Sequence, residues 1–340
     1  MIDVLALHRD LVSIRSVSGE EAAIADYVES VLRPSGADIE RVGNSVLARA
    51  GSGSCLALNS HLDTVPAQEG WTSDPWTPVV RDGKVTGLGS NDAKASVAAL
   101  MAAFLQAVEA GPPCELLLML VEGEETLGVG TQKCLAHLGQ KPDAALVGEP
   151  TSLASAIGQY GLLIANLIAH GEACHAAHAK SLGRKNPIWT LARDLAALEQ
   201  LDWGDSSLQP TVLTGAQAKN QVPGIASATL DIRLEPTLTP EEAVARIRAC
   251  VESEVSVHSD RLRPYACPDG AKLLGCVPEP QFVSRTMSDL VFFQGIPAVK
   301  IGPGETGRSH TVDEYVMESE ITLGVQVYEQ IIERFGEIMR

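Results

Sequence analysis

Four short apolar runs constrain this chain more than any other feature of it. Cys55–Leu58, Leu116–Val121 and Ala144–Val147 lie in the first half, and Ala298–Ile301 comes much later. Runs this short read as strands buried on both faces of a covered sheet. A helix-like segment, Ala93–Glu109, separates the first two, and an amphipathic helix spans about Glu318 to Arg340. Strands alternating with helices predict an α/β layer with a mixed, largely parallel sheet. Ser18-Gly-Glu-Glu21 matches a capping box and predicts a helix opening there and running to about Leu32.

The middle of the chain has a different rhythm. Leu162–Ala169 reads as a strand, and Asn186-Pro187 as a helix start. Thr211–Thr214 and Ala228–Leu234 read as strands, Thr239-Pro240-Glu-Glu242 as a second helix start, and Val255–His258 as a last strand. That order, β-α-β-β-α-β, is the split-βαβ (ferredoxin-like) arrangement. It is expected as an insert, because Ala298–Ile301 has to rejoin the earlier sheet. The expected domains are 1–157 with 265–340, and 158–264.

Charge and composition remove several classes of function. The 340 residues carry a formal net charge of −17 with no Lys/Arg cluster, which argues against nucleic acid and against anionic membranes as partners. No apolar run nears the roughly 20 residues that cross a bilayer. The start, MIDVLALHRDLVSI, lacks the pattern of a secretory leader. Seven dispersed cysteines without a CxxC pair read as reduced thiols, so a cytoplasmic enzyme is expected.

The residues just past each apolar run carry the chemistry. Cys55–Leu58 leads to His61 and Asp63, Leu116–Val121 to Glu124 and Glu125, Ala144–Val147 to Glu149, and Ala298–Ile301 to His310. Open α/β sheets bind ligands beyond the carboxyl ends of their strands. Asp92, just before the helix, is a further candidate. Taken singly, Asp92 reads as a helix cap, the glutamates as solvated loop charges and His61 as a hydrogen-bonded histidine. One hypothesis covers them all: two metal ions held by two histidines and three carboxylates, a donor set suited to zinc and also to manganese or cobalt. His61 and Asp63 share a face of an extended segment, so Asp63 can orient His61. Of the adjacent glutamates, Glu125 is assigned as ligand and Glu124 as the base that becomes an acid.

These residues sit in motifs that resemble a known family. Ser60-His-Leu-Asp-Thr64, Gly87-Leu-Gly-Ser-Asn-Asp92, Glu124-Glu-Thr-Leu-Gly128, Val147-Gly-Glu-Pro150 and Ser309-His-Thr-Val-Asp-Glu314 are similar to those of the two-zinc metallohydrolases. That family includes acetylornithine deacetylases, succinyl-diaminopimelate desuccinylases, aminoacylases and glutamate carboxypeptidases. The resemblance implies His61, Asp92 and Glu149 on one metal, with bridging Asp92, Glu125 and His310 on the other. It implies a homodimer formed through the inserted lid. His175, in Gly171-Glu-Ala-Cys-His175, would then reach the partner subunit's site and stabilise an oxyanion. Asn220-Gln-Val-Pro223 and Asp231-Ile-Arg233 resemble the lid's substrate-binding motifs, with Arg233 as a clamp on an α-carboxylate. Ser90-Asn-Asp-Ala-Lys-Ala-Ser96 departs from the Asp-Met-Lys-Gly type of stretch found in many members. With Thr286-Met-Ser-Asp289 and Lys300-Ile-Gly-Pro-Gly304 it looks like the branch acting on N-acylated ornithine or citrulline in arginine biosynthesis.

The expected activity is removal of the N-acyl group from an N-acyl amino acid, with N-acetylornithine first. Desuccinylation or deacetylation of N-acyl-citrulline, N-acetyl-lysine or succinyl-diaminopimelate, and dipeptide hydrolysis, are the alternatives within the class. A non-catalytic binding homologue is the alternative outside it, against which the intact Glu124 and ligand set argue. Gly302-Pro-Gly-Glu-Thr-Gly307 satisfies a dinucleotide-binding glycine pattern, but no second βα unit comes after it.

Overall fold

The computed structural model describes residues 2–126, 128–215 and 218–340. Leu127, inside the Glu124–Gly128 motif, lies outside the described residues. In chain order the main elements are α1 (Val4–Ser13), α2 (Ala22–Leu32), β1 (Asp38–Val42), β2 (Ser45–Ala50), β3 (Cys55–His61), α3 (Lys94–Ala110), β4 (Glu115–Val121), α4 (Val129–His137) and β5 (Ala144–Val147). Next come β6 (Gly161–His170), β7 (Cys174–His175), α5 (Pro187–Glu199), β8 (Ser207–Thr214), β9 (Gln221–Val222), β10 (Ile225–Leu234), α6 (Pro240–Cys250) and β11 (Glu254–Leu262). β12 (Ala298–Lys300) and α7 (Glu318–Met339) complete the set.

Two compact units emerge. The first holds Met1–Gly158, Cys267–Ser284 and Ser288–Arg340. Within its sheet β1-β2-β4-β3-β5-β12 are successive neighbours, β4, β3, β5 and β12 are mutually parallel, and Ser155–Gln159 continues the sheet antiparallel to β12. The apolar runs are therefore the central strands. One face of them, including Leu56, Leu58, Leu116, Leu118 and Leu146, joins Leu11, Val28, Leu100, Phe104, Tyr328 and Phe335 in one buried core. Burial on both faces removes the alternation that a half-exposed strand would show.

The second unit holds Gln159–Ala266 and Arg285–Met287. Its antiparallel sheet has the order β8-β10-β6-β11, with α5 and α6 supplying the crossovers of the β-α-β-β-α-β pattern. β6 and β10 alternate strictly between buried and partly exposed residues. Asn186 caps α5 by accepting the Ile188 N–H, and Thr239 and Glu242 form a full capping box on α6. The expected boundary puts Arg285–Met287 in the first domain. The segment groups with the second instead, where the Arg285 guanidinium lies 5.5 Å from the Tyr160 ring centroid.

The capping box expected at Ser18–Glu21 does not form. α2 starts at Ala22, and no side chain caps it. Ser18 donates instead to Asp63 Oδ2 at 2.6 Å, and Glu21 Oε1 accepts the N–H groups of Gly19 and Gly123. Tertiary partners beyond the strand ends outcompete the local cap.

His8 ties α1 to the segment before Asp92. It is fully buried, and its Nε2–H donates to the Ser90 carbonyl at 2.8 Å. Burial lowers its pKa from 6.5 to about 4. The unfolded chain therefore binds this proton first, and stability is lost as pH falls from about 6.5 towards 4. About 2 kcal/mol of that loss is expected by pH 5. His8→Gln keeps a donor for Ser90 and does not titrate. Urea unfolding at pH 7 and pH 5 should show a smaller acid loss in His8→Gln than in the wild type, and equal losses would refute the assignment.

Candidate metal centre

The sheet register aligns the site. Asn59 pairs with Met119 on one side and Val147 on the other, and Val147 pairs with Lys300. Two residues further on, His61 and Glu149 lie on the same face. Asp92 enters from the turn before α3, and His310 from the loop after β12. Asn91 N–H and Asp92 N–H both donate to Glu314 Oε1 at 2.9 Å, which fixes the backbone that carries Asp92. His310 has a left-handed backbone, φ +58°, with its carbonyl accepting from Gln68 Nε2 at 3.0 Å.

The side chains converge as two donor groups around one carboxylate. His61 Nε2 lies 3.2 Å from Asp92 Oδ1 and 3.7 Å from Glu149 Oε1. His310 Nε2 lies 3.0 Å from Glu125 Oε1 and 3.6 Å from Asp92 Oδ2. Asp92 thus turns one oxygen towards each group. Ligand atoms of His61, Asp92 and Glu125 all fall within 4.8 Å of one another.

Asp63 links these parts together. It is fully buried, and accepts the N–H of Glu124 on Oδ1 at 3.0 Å and the N–H of Glu125 on Oδ2 at 3.1 Å, besides the Ser18 hydroxyl. His61 Nδ1 lies 3.0 Å from the Asp63 backbone carbonyl and 3.6 Å from Oδ1. The nearer partner is therefore the main chain, while the carboxylate chiefly holds the glutamate loop. A proton on Nδ1 leaves Nε2 as the free ligand atom. Burial alone would raise the Asp63 pKa, but His61, Ser18 and the Glu124 amide hold it below its ordinary value.

The electrostatics of the centre call for cations. Burial and the neighbouring Asp92 push Glu149 up to about 8. Burial and Glu149 lift Glu124 well above the carboxylate range, and burial with Asp92 takes Glu314 to about 8. The hydrogen bond to Glu125 raises His310 to about 9. So many buried carboxylates at short range resist ionising together. Imidazole and carboxylate donors of this mix fit zinc, cobalt or manganese, and a divalent cation in either donor group would restore charge to its carboxylates.

The remaining candidates lie in the second unit. β7 and β9 pair with His175 opposite Gln221, which brings the His175 and Asn220 motifs together. His175 is exposed, and its Nδ1 accepts the Ala177 N–H at 3.2 Å. Its Nε2 lies 3.4 Å from the Asn220 side-chain nitrogen. Arg233 stands on the partly exposed face of β10 and donates to both oxygens of Asp231, at 2.8 and 3.2 Å.

Sequence reading missed several residues that position the centre. Ser18 and Glu21 resemble a local cap. Glu314 ends a recognised motif without a role of its own. Lys94 and Lys300 are buried lysines beside the site, and a lysine inside a buried-strand run is the available signal. Gly304, at φ +85°, closes against Asn91, where an added Cβ would meet Oδ1 at 2.2 Å.

Asp63→Asn replaces an acceptor of two amides with a group that can serve fewer of them. Its metal dissociation constants should rise about 10- to 100-fold in competition with a chromophoric chelator. Ser18→Ala, losing one hydrogen bond, should cost about 1 kcal/mol in stability. Wild-type metal affinity in Asp63→Asn would show that the carboxylate is dispensable.

Comparison with known proteins gives the chain a family. The model of peptidase family M20/M25/M40 matches residues 57–334. A succinyl-diaminopimelate desuccinylase of Acidiphilium cryptum is 33% identical over 98% of each chain. That of Rhodospirillum centenum is 30% identical over 98% of this chain and 97% of its own. Among solved structures, an aminopeptidase from Bacillus cereus superposes with a TM-score of 0.80 at 19% identity, covering 97% of each chain. A dinuclear metal-binding M20 peptidase from Bacillus subtilis gives 0.76 at 16% identity, covering 98% of this chain and 97% of its own. The chain belongs to peptidase family M20/M25/M40 and is a metal-dependent hydrolase of amide bonds.

Proposed function

We propose that this protein removes the acyl group from an N-acylated amino acid, using two divalent ions held by His61, Asp92, Glu149, Glu125 and His310. The observation that carries the reading is Asp92, whose two oxygens face two separate donor groups. Ions in such a pair activate water and polarise a carbonyl. Glu124 accepts the proton of the attacking water and returns it to the leaving amine nitrogen. Asp63 keeps Glu124 and Glu125 in register.

For the substrate, the desuccinylase relatives support an N-succinylated diamino acid, while the sequence motifs favour N-acetylornithine. The first alignment spans 378 positions against a 340-residue chain, so that relative carries segments absent here. Substrate choice is therefore settled by amine release from acetyl and succinyl forms of ornithine, citrulline, lysine and diaminopimelate, plus a dipeptide, each with and without chelator. Turnover of one N-acyl amino acid, abolished by chelation, is the expected result. Turnover of the dipeptide alone would replace this reading. Glu124→Gln should lower kcat by about 10²- to 10⁴-fold with metal content unchanged. A variant retaining wild-type kcat would exclude Glu124 as the proton carrier.

A second copy of the chain is proposed to complete the site through the second unit. The edge strand β8 exposes Val212 and Leu213, and α5 exposes Ile188 and Trp189. Unpaired strand edges with apolar side chains are surfaces that chains pair through. A ring N–H of His175 would supply a donor for an oxyanion, and Asn220 and Arg233 would bind substrate. If His175 acts in the partner's site, mixing His175→Ala with Glu124→Gln chains should restore about a quarter of wild-type activity through heterodimers with one intact site. No recovery after subunit exchange would place His175 in its own chain's site.

A further inference from the structure

Lys300 is a charged residue at the end of a buried strand. It is 2% exposed. The pairings Asn59–Val147 and Val147–Lys300 place it in the row that precedes His61 and Glu149 by two residues, His61 at the end of β3 and Glu149 just past β5. Strand and residue spacings put its Cβ about 8 Å from that of Glu149, within reach of a four-carbon stem. Glu149, Glu124 and Asp92 are its principal charged neighbours. A second buried lysine, Lys94, donates to the Ile14 carbonyl at 2.9 Å and neighbours Glu314 and Asp63.

The carboxylates around them give these lysines a common setting. Asp63, Asp92, Glu124, Glu125, Glu149 and Glu314 bring six carboxylates into one region. The lysines are not equivalent with respect to the donor groups. The first charged neighbour of Lys300 is Glu149, which belongs to the His61 donor group, while Asp92, shared by both groups, comes after it.

We propose that Lys300 is a built-in counter-charge for the Glu149 end of the centre. It stabilises the metal-free carboxylates, and it weakens the ion held by His61 and Glu149 relative to the ion held by His310 and Glu125. The two positions then load unequally, with the Glu125–His310 position filling first. This inference rests on the two-metal reading proposed for the centre.

The test uses the full-length protein and zinc alone. Competition with a chromophoric chelator resolves two dissociation constants for the wild type, Lys300→Met, Lys300→Gln and Lys300→Arg, and thermal unfolding is followed without metal. Removing the charge should tighten the weaker constant on the order of tenfold and leave the other within about twofold. The metal-free protein should unfold at a lower temperature. Lys300→Arg should behave as the wild type. The opposite signs of the two effects are the signature, because a merely structural lysine would lower stability without tightening any site. Unchanged or weakened constants in both neutral variants overturn the proposal. Lys300→Gln carries the measurement if Lys300→Met does not fold. A wild-type protein that binds no zinc would instead overturn the two-metal reading, and this inference with it.

Discussion

The carboxylate of Asp63 is the contact on which the rest of the centre depends. One buried anion collects the Ser18 hydroxyl and two consecutive main-chain amides, and its own backbone carbonyl meets His61. A carboxylate in apolar surroundings survives ionised only when several donors satisfy it. Those donors come from two chain segments and the anion from a third, so satisfying the charge brings the N-terminal segment, the end of β3 and the glutamate loop to one point. The same bonds that make the anion tolerable also orient the candidate metal ligands.

The sheet supplies the complementary constraint. Parallel strands in register deliver side chains at fixed spacing, and the residues just past their ends lie beyond the buried layers. Rows of polar residues can then be set one strand-step apart, as Asn59 and Lys300 are below His61 and Glu149. Asn59 in turn donates to Thr131 on α4 at 3.0 Å, and Thr131 donates to Asp289 at 2.6 Å. The layer beneath the ligands is therefore hydrogen-bonded rather than apolar, which suits a region dense in charge.

How much of this the sequence revealed depended on the range of the interaction. The buried strands were legible because burial on both faces leaves only apolar residues in a short run. The cap at Thr239 was legible because all its partners lie within four residues. The same reasoning failed at Ser18 and Glu21, whose partners, Asp63 and Gly123, are 45 and 102 residues away. A local pattern cannot report that a distant acceptor is stronger. Alternation along the strand anticipates the pairing of Asp63 with His61, but it does not distinguish the Asp63 carbonyl from its carboxylate as the nearer partner.

The sequence by itself determined the α/β class, the split-βαβ pattern of the middle segment and which polar side chains stand just past the buried strands, since each follows from spacing and residue chemistry within short windows. Only the tertiary structure decided that Asp92 presents its two oxygens to different histidines, that Glu314 holds the backbone behind it, and that Lys300 stands one row below Glu149. Those facts depend on strand register and loop closure across more than a hundred residues. Register is set by the joint packing of both sheet faces, and no single stretch of the chain contains it.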